Sequence, residues 1–171
     1  MLAGFMGTGK TSAGKRIAER LHWSFVDTDE MIEKREGRSI AEIFERDGEP
    51  HFRALEREAV AAAAAKQDAV IALGGGAMVD DDNFDLLRRA GLLVCLHARP
   101  EVILARTSGA QRPLLLTEDR EARVRQLLQE RQSAYARAPH HIDTSDLTID
   151  ECAERVLALF GSATSCPEEA R

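Results

Sequence analysis

The first twelve residues, MLAGFMGTGKTS, carry the most specific chemistry in the chain. Gly4 is followed by four residues and then by Gly9, Lys10 and Thr11, the spacing of a loop that cradles phosphates at the mouth of a helix. Each residue type has a mechanical reason. Glycines at 4, 7 and 9 let the backbone turn through positive φ and bring successive N–H groups close to phosphate oxygens. The helix that follows contributes its positive end. Lys10 supplies a point charge for the β- and γ-phosphates, and Thr11 a hydroxyl for the Mg²⁺ that travels with a nucleotide. Only Met1, Leu2 and Ala3 precede Gly4, which is short for the buried strand such a loop should leave.

Further chemistry lies downstream. Ser24-Phe25-Val26 reads as a strand that runs into Asp27-Thr28-Asp29, and carboxylates at i and i+2 on a strand end face the same edge of the sheet. Ligands of open α/β sheets bind outside the carboxyl ends of the strands, so Asp27 could reach the Mg²⁺ shell and Asp29 a substrate hydroxyl. Alternatively, one of the two caps a helix over 30–36. Ala69 to Leu73 is a continuous apolar run that ends in Gly74-Gly75-Gly76, where a ligand could lie directly on the backbone. Arg53, near the start of a helix, invites an anionic partner because a cation is disfavoured there, although a solvent-exposed arginine is the commoner explanation from the sequence alone. The stretch 108–118, SGAQRPLLLTE, breaks the periodicity and carries Arg112, as a cover that excludes water from a phosphoryl-transfer site would, although taken alone it reads as an ordinary surface loop.

These residues need a scaffold, and the apolar pattern supplies one. Five strand segments, near 1–3, 24–26, 69–73, 92–96 and 142–144, alternate with helical patterns, the signature of a three-layer α/β/α fold around a central, mostly parallel sheet. Helices are expected over 10–21, 30–36, about 49–65, from a cap within 80–83 to Ala90, from Arg99-Pro100 with Arg106 in its last turn, and over 118–138, with a last one opening at Thr148, three residues before Glu151. Ser39 and Glu42 have capping-box spacing for a short helix of their own. Residues 1–160 form a single domain in this reading, with substrate-binding helices over about 28–60, and 161–171 is a polar tail expected to be disordered.

Composition narrows the function. At 171 residues the chain can bury one core, and a net charge of −6 argues against the broad basic surface a nucleic-acid binder needs. No apolar run approaches the roughly 18 residues of a membrane span, so a cytoplasmic protein with no membrane partner is expected. Cys95, Cys152 and Cys166 are widely spaced and suggest neither a disulfide framework nor a zinc site. His140 and His141 lack ligand spacing, and Asp80 to Asp82 read as a solvated helix start.

Taken together, GFMGTGKT, FVDTD, GRSIAEIFERDGEPHFRALE, ALGGG, RPLL, ERQSAYARA and DTSDLTIDECAERVL, in this order and spacing, resemble the shikimate kinase family over nearly the full length. The resemblance implies a P-loop kinase fold with a five-stranded sheet, and transfer of the γ-phosphoryl of ATP to the 3-hydroxyl of shikimate, with Mg²⁺. It implies nucleotide contacts from Gly7, Thr8, Gly9, Lys10, Thr11 and Ser12, adenine against Arg106, and Arg112 descending onto the phosphates. Thr11 and Asp27 would hold the metal. Asp29 would orient the attacking hydroxyl and accept its proton, Arg53 and Arg131 would grip the carboxylate, and Gly75 and Gly76 would offer the backbone. Lys10, Asp29 and Arg112 are thus the expected catalytic residues, in an enzyme expected to be monomeric. Two rivals stand beside this reading: another small P-loop kinase such as a gluconate kinase, and a non-catalytic ligand-sensing relative.

Overall fold

A computed structural model describes residues 1–108 and 119–164. Five strands, β1 (Leu2–Gly4), β2 (Ser24–Asp27), β3 (Ala69–Ala72), β4 (Val94–His97) and β5 (His140–Asp143), form one sheet in the order β2-β3-β1-β4-β5. Every pairing is parallel, including the outer two. The three-residue strand that looked clipped lies at the centre, with Leu2 opposite both Ala72 and Val94. The chain leaves β1 toward β2 on one side and later returns to β4 on the other. The loop after β1 therefore occupies the switch point where open α/β sheets bind ligands.

Strand alternation builds the layers. Leu2, Val70, Val94 and Leu96 point to one face and pack against Ala13, Ile17 and Ala18 of α1 (Lys10–Leu21) and Ala153 and Val156 of α7 (Ile149–Thr164). Ala3, Ile71 and Cys95 point to the other, against Val60 and Ala63 of α3 (Ile40–Ala64) and Leu87 of α4 (Asp81–Ala90). Smaller clusters seat α5 (Pro100–Arg106) with α6 (Arg120–Ala136), and α2 (Thr28–Glu36) with α3.

The local signals explain most boundaries. Gly9, at φ 95°, turns the chain into α1. The Ser39–Glu42 capping box is formed, and Thr148 and Glu151 make the equivalent exchange of hydrogen bonds before α7. The two helices expected over 39–65 are joined without a loop, because Gly48 adopts φ 79° and ψ 171°, a region open essentially to glycine, and bends α3 just before Pro50.

Four expectations change. Asp29 is not on a strand edge: α2 starts at Thr28, so Asp29 lies in its first helical turn and Asp27 is the N-cap. The last strand starts at His140, which puts both histidines in β5 rather than in a preceding loop. The sheet is wholly rather than mostly parallel. Gly161 to Thr164 continue α7 instead of belonging to the tail, since nothing before residue 164 breaks the helix. The proposed cover over 108–118, with Arg112, lies outside the described residues except for Ser108, as does Cys166. Cys95 and Cys152 are free and buried.

Candidate active site

All the assigned site residues among those described line one cleft of about 750 Å³ at the carboxyl ends of the strands. Gly7 to Ser12, Asp27, Asp29, Arg53, Gly75, Gly76, Arg106 and Arg131 meet there from eight different elements or loops. Lys10 extends back over the loop, its Nζ donating to the carbonyls of Gly4 at 2.8 Å and Phe5 at 3.0 Å. Thr8 differs from its neighbours, because its side chain is buried and braces the loop from within. Its Oγ1 donates to the Phe5 carbonyl at 2.7 Å, and its own carbonyl accepts from Thr144 Oγ1 at 2.9 Å.

Asp27 is the residue of the pair that caps α2, and it also faces Thr11. One carboxylate oxygen accepts the Asp29 N–H at 3.0 Å and caps α2, while the other accepts from Thr11 Oγ1 at 2.9 Å. A hydroxyl and a carboxylate side by side at the phosphate end of the cleft are hard oxygen donors of the kind Mg²⁺ takes, so the residues present fit that ion.

The triple glycine organises the substrate end. A side-chain carbon on Gly74 would fall 2.5 Å from Asp29 Oδ1 and 2.9 Å from Glu56 Oε1. On Gly75 it would lie 3.2 Å from Arg131 Nη1, and on Gly76 3.0 Å from Arg53 Cζ. The three missing side chains are the space in which two carboxylates and two guanidinium groups converge. Thr28 fixes the start of this turn by accepting the Gly74 N–H at 2.8 Å while itself fully buried.

Arg53 is not the solvent-facing residue its charge first suggests. It donates to Glu49 at 2.8 Å and to Glu56 at 2.6 Å. Burial works against its charge, but the two carboxylates outweigh that and hold the guanidinium protonated. Glu56, 1 % exposed, lines the cleft and was missed by the sequence reading. Burial raises its pKa above the usual carboxylate range although Arg53 opposes this, and Oε1 has no hydrogen-bond partner among the described residues. Its position was detectable, because Phe52, Leu55, Glu56, Ala59 and Val60 form one buried helical stripe and a glutamate within such a stripe is not facing solvent.

Arg131 is also buried, over the face of Phe5 at 5.6 Å, and donates to the Gly75 carbonyl at 3.0 Å. Tyr135, one turn later, donates to the same carbonyl at 2.6 Å. At the far end of the cleft Arg106 bonds the Thr144 carbonyl at 2.8 Å and Thr144 Oγ1 at 3.2 Å, with Leu147, Ile149 and Cys152 forming an apolar wall nearby. Arg99 and Asp146, joined by two hydrogen bonds of 2.8 and 2.7 Å, hold the loop that carries this wall. The arrangement is bipolar: a loop of N–H donors with Lys10 at one end, and a carboxylate with two cations at the other.

Comparison with known proteins agrees with this geometry. The family model for shikimate kinase matches residues 6–160. A curated shikimate kinase from Caldanaerobacter subterraneus subsp. tengcongensis is 50% identical over 161 residues, 94% of each chain. The solved shikimate kinase from Acinetobacter baumannii, in complex with shikimate, superposes with a TM-score of 0.92 at 35% identity, over 96% of this chain and 93% of that one. A gluconokinase from Sinorhizobium meliloti shares the fold alone, with a TM-score of 0.55 and 17% identity over 95% of this chain and 90% of that one. From the phosphate loop to the last helix, this chain belongs to the shikimate kinase family.

Proposed function

We propose that this chain transfers the γ-phosphoryl group of ATP to the 3-hydroxyl of shikimate, giving shikimate 3-phosphate and ADP. The observation that carries the reading is the convergence at Gly74–Gly76 of Asp29 from α2, Arg53 and Glu56 from α3 and Arg131 from α6. Such a site suits a small hydroxylated acid, since two guanidinium groups can grip a carboxylate while a carboxylate across the turn accepts a hydrogen bond from a hydroxyl. A ligand lacking the acid group would forgo the charged contacts to both guanidinium groups, which is how the site would select.

In this mechanism Lys10 exchanges the Gly4 and Phe5 carbonyls for the β- and γ-phosphate oxygens. The N–H groups opening α1 take the remaining phosphate oxygens. Thr11 and Asp27 would hold Mg²⁺, which when bound offsets charge on the phosphates. Asp29 orients the substrate hydroxyl and takes its proton as the new O–P bond forms and the bond from the γ-phosphorus to the ADP oxygen breaks. Arg53 and Arg131 fix the carboxylate, with Gly75 and Gly76 presenting backbone beside it. Arg106 lies against the base, and Arg112 completes the charge neutralisation over the phosphates. Positioning and electrostatics supply most of the rate in such a transfer, so pinned charged groups matter more than a strong base. The same proposal has the enzyme working as a monomer in the cytoplasm.

The test is Mg²⁺-dependent release of ADP from ATP by the 171-residue chain, with shikimate, gluconate or a nucleoside monophosphate as acceptor. Turnover with shikimate alone, abolished in Asp29→Ala and shifted to high KM in Arg131→Ala, is the expected result. ADP release with gluconate but not shikimate would overturn the substrate assignment, and tight ATP binding without turnover on any acceptor would favour a sensing role.

A further inference from the structure

Arg131 can grip a carboxylate only if something fixes the direction of its guanidinium, and the structure offers three constraints: the ring of Phe5, the Gly75 carbonyl and Tyr135. Arg131 and Tyr135 are four residues apart on α6 and share a face. Both donate to one oxygen, Nη1 at 3.0 Å and the phenol at 2.6 Å, so both lone pairs of the Gly75 carbonyl are engaged. The peptide unit is planar, and its C=O and N–H point in opposite directions. Fixing the Gly75 oxygen therefore fixes the Gly76 N–H as well. Neither the Gly75 nor the Gly76 N–H has an acceptor among the described residues, and both glycines line the cleft.

We propose that Tyr135 is a positioning residue for the substrate carboxylate, its hydroxyl holding the Gly75–Gly76 peptide and the Arg131 guanidinium in the one orientation that presents a cation and an N–H group together. The inference rests on the reading of Arg131 given above. The phenol has to be protonated to donate, and burial pushes its pKa up to about 12, which keeps the donor in place throughout the working pH range. The ring packs against two apolar clusters, so phenylalanine would preserve the packing and remove only the hydroxyl.

The experiment compares wild type, Tyr135→Phe and Arg131→Ala with shikimate, with its carboxamide analogue, and at varied ATP. Tyr135→Phe should raise the KM for shikimate about 5- to 20-fold, the loss expected from one hydrogen bond and a loosened cation, while kcat, the KM for ATP and the melting temperature change little. The penalty should disappear with the carboxamide, because the geometry that is lost serves a carboxylate. Tyr135 is also the chain's single tyrosine, so its ζ-carbon gives one NMR signal in ¹³C-labelled wild type. That signal should move on adding shikimate and stay still on adding ADP. An unchanged shikimate KM in Tyr135→Phe, or an equal penalty on the carboxamide, overturns the proposal if Arg131→Ala still raises the KM. Should Arg131→Ala leave the KM for shikimate unchanged, the carboxylate grip itself fails. A ζ-carbon signal insensitive to shikimate overturns the proposal even if the phenylalanine variant does not fold.

Discussion

Replacing Gly76 by alanine separates the placement of a charge from the integrity of the fold. Gly76 has φ −106° and ψ −7°, which any L-residue can adopt, so the backbone does not resist the change. The new carbon would overlap Arg53 Nη1 and lie 3.0 Å from Cζ and 3.1 Å from Nη2, against an ordinary contact of about 3.5–4 Å, so the guanidinium has to withdraw by more than about 1 Å. It cannot simply swing aside, since Glu49 and Glu56 hold it at 2.8 and 2.6 Å. A hydrogen bond to a charged group contributes about 1.5–3 kcal/mol, so displacing Arg53 from a substrate carboxylate should raise the KM for shikimate about 10- to 100-fold. The stability cost is smaller. Weakening one partly exposed ion pair should cost about 1 kcal/mol, or about 2–4 °C in a chain of this size. Steady-state kinetics with each substrate varied in turn, beside calorimetry, would read both. A shikimate KM within twofold of wild type would refute the idea that the missing side chain at 76 exists to admit Arg53, and an equal rise in the KM for ATP would show that the whole turn had moved.

Two other perturbations probe the cleft at different places. Glu56 has its pKa raised by burial, so the folded state holds a proton that the unfolded chain releases. Wild-type stability should therefore decline as pH rises from the ordinary carboxylate value of 4.5 and level off above the raised value. Glu56→Gln lacks this cost, so its melting temperature relative to wild type should climb by a few degrees across that window, while its KM for shikimate rises because Arg53 loses a charged partner. Parallel melting curves from pH 4.5 to 8 would refute this. At the other end, Arg106→Ala removes the bonds to Thr144 and should raise the KM for ATP about 5- to 10-fold without affecting that for shikimate. A change confined to shikimate would place Arg106 in the wrong half of the cleft.

How legible these features were depended on whether their cause was local. The phosphate loop, the Ser39–Glu42 box and the Gly74–Gly76 turn are written in adjacent residues, and each appears where the spacing puts it. Asp29 was read onto a strand edge because β2 passes into α2 without an intervening loop, and no residue between them marks the change. That Asp27 caps as well as facing Thr11 was left open by the sequence and decided by the two oxygens of one carboxylate. Thr28 and Tyr135 could not be assigned from sequence, since their partners Gly74 and Gly75 are distant along the chain and meet them only across the sheet edge. The functional pairing of Arg53 with Gly76 is hidden in the same way, while its pairing with Glu56 is a helical neighbour relation in plain view.

The central place of the shortest strand has a consequence for how the protein is made. Leu2 finds its partners at Ala72 and Val94, so the segment that forms the middle of the sheet leaves the ribosome long before either neighbour exists. Until residues near His97 have been synthesised, β1 has no slot to enter and the loop after it has no shape. Nucleotide cannot guide early folding, because its site is among the last features to appear. Strand β1 must stay unpaired over much of translation, and the transition to a stable molecule should be late, abrupt and sensitive to anything that delays β4.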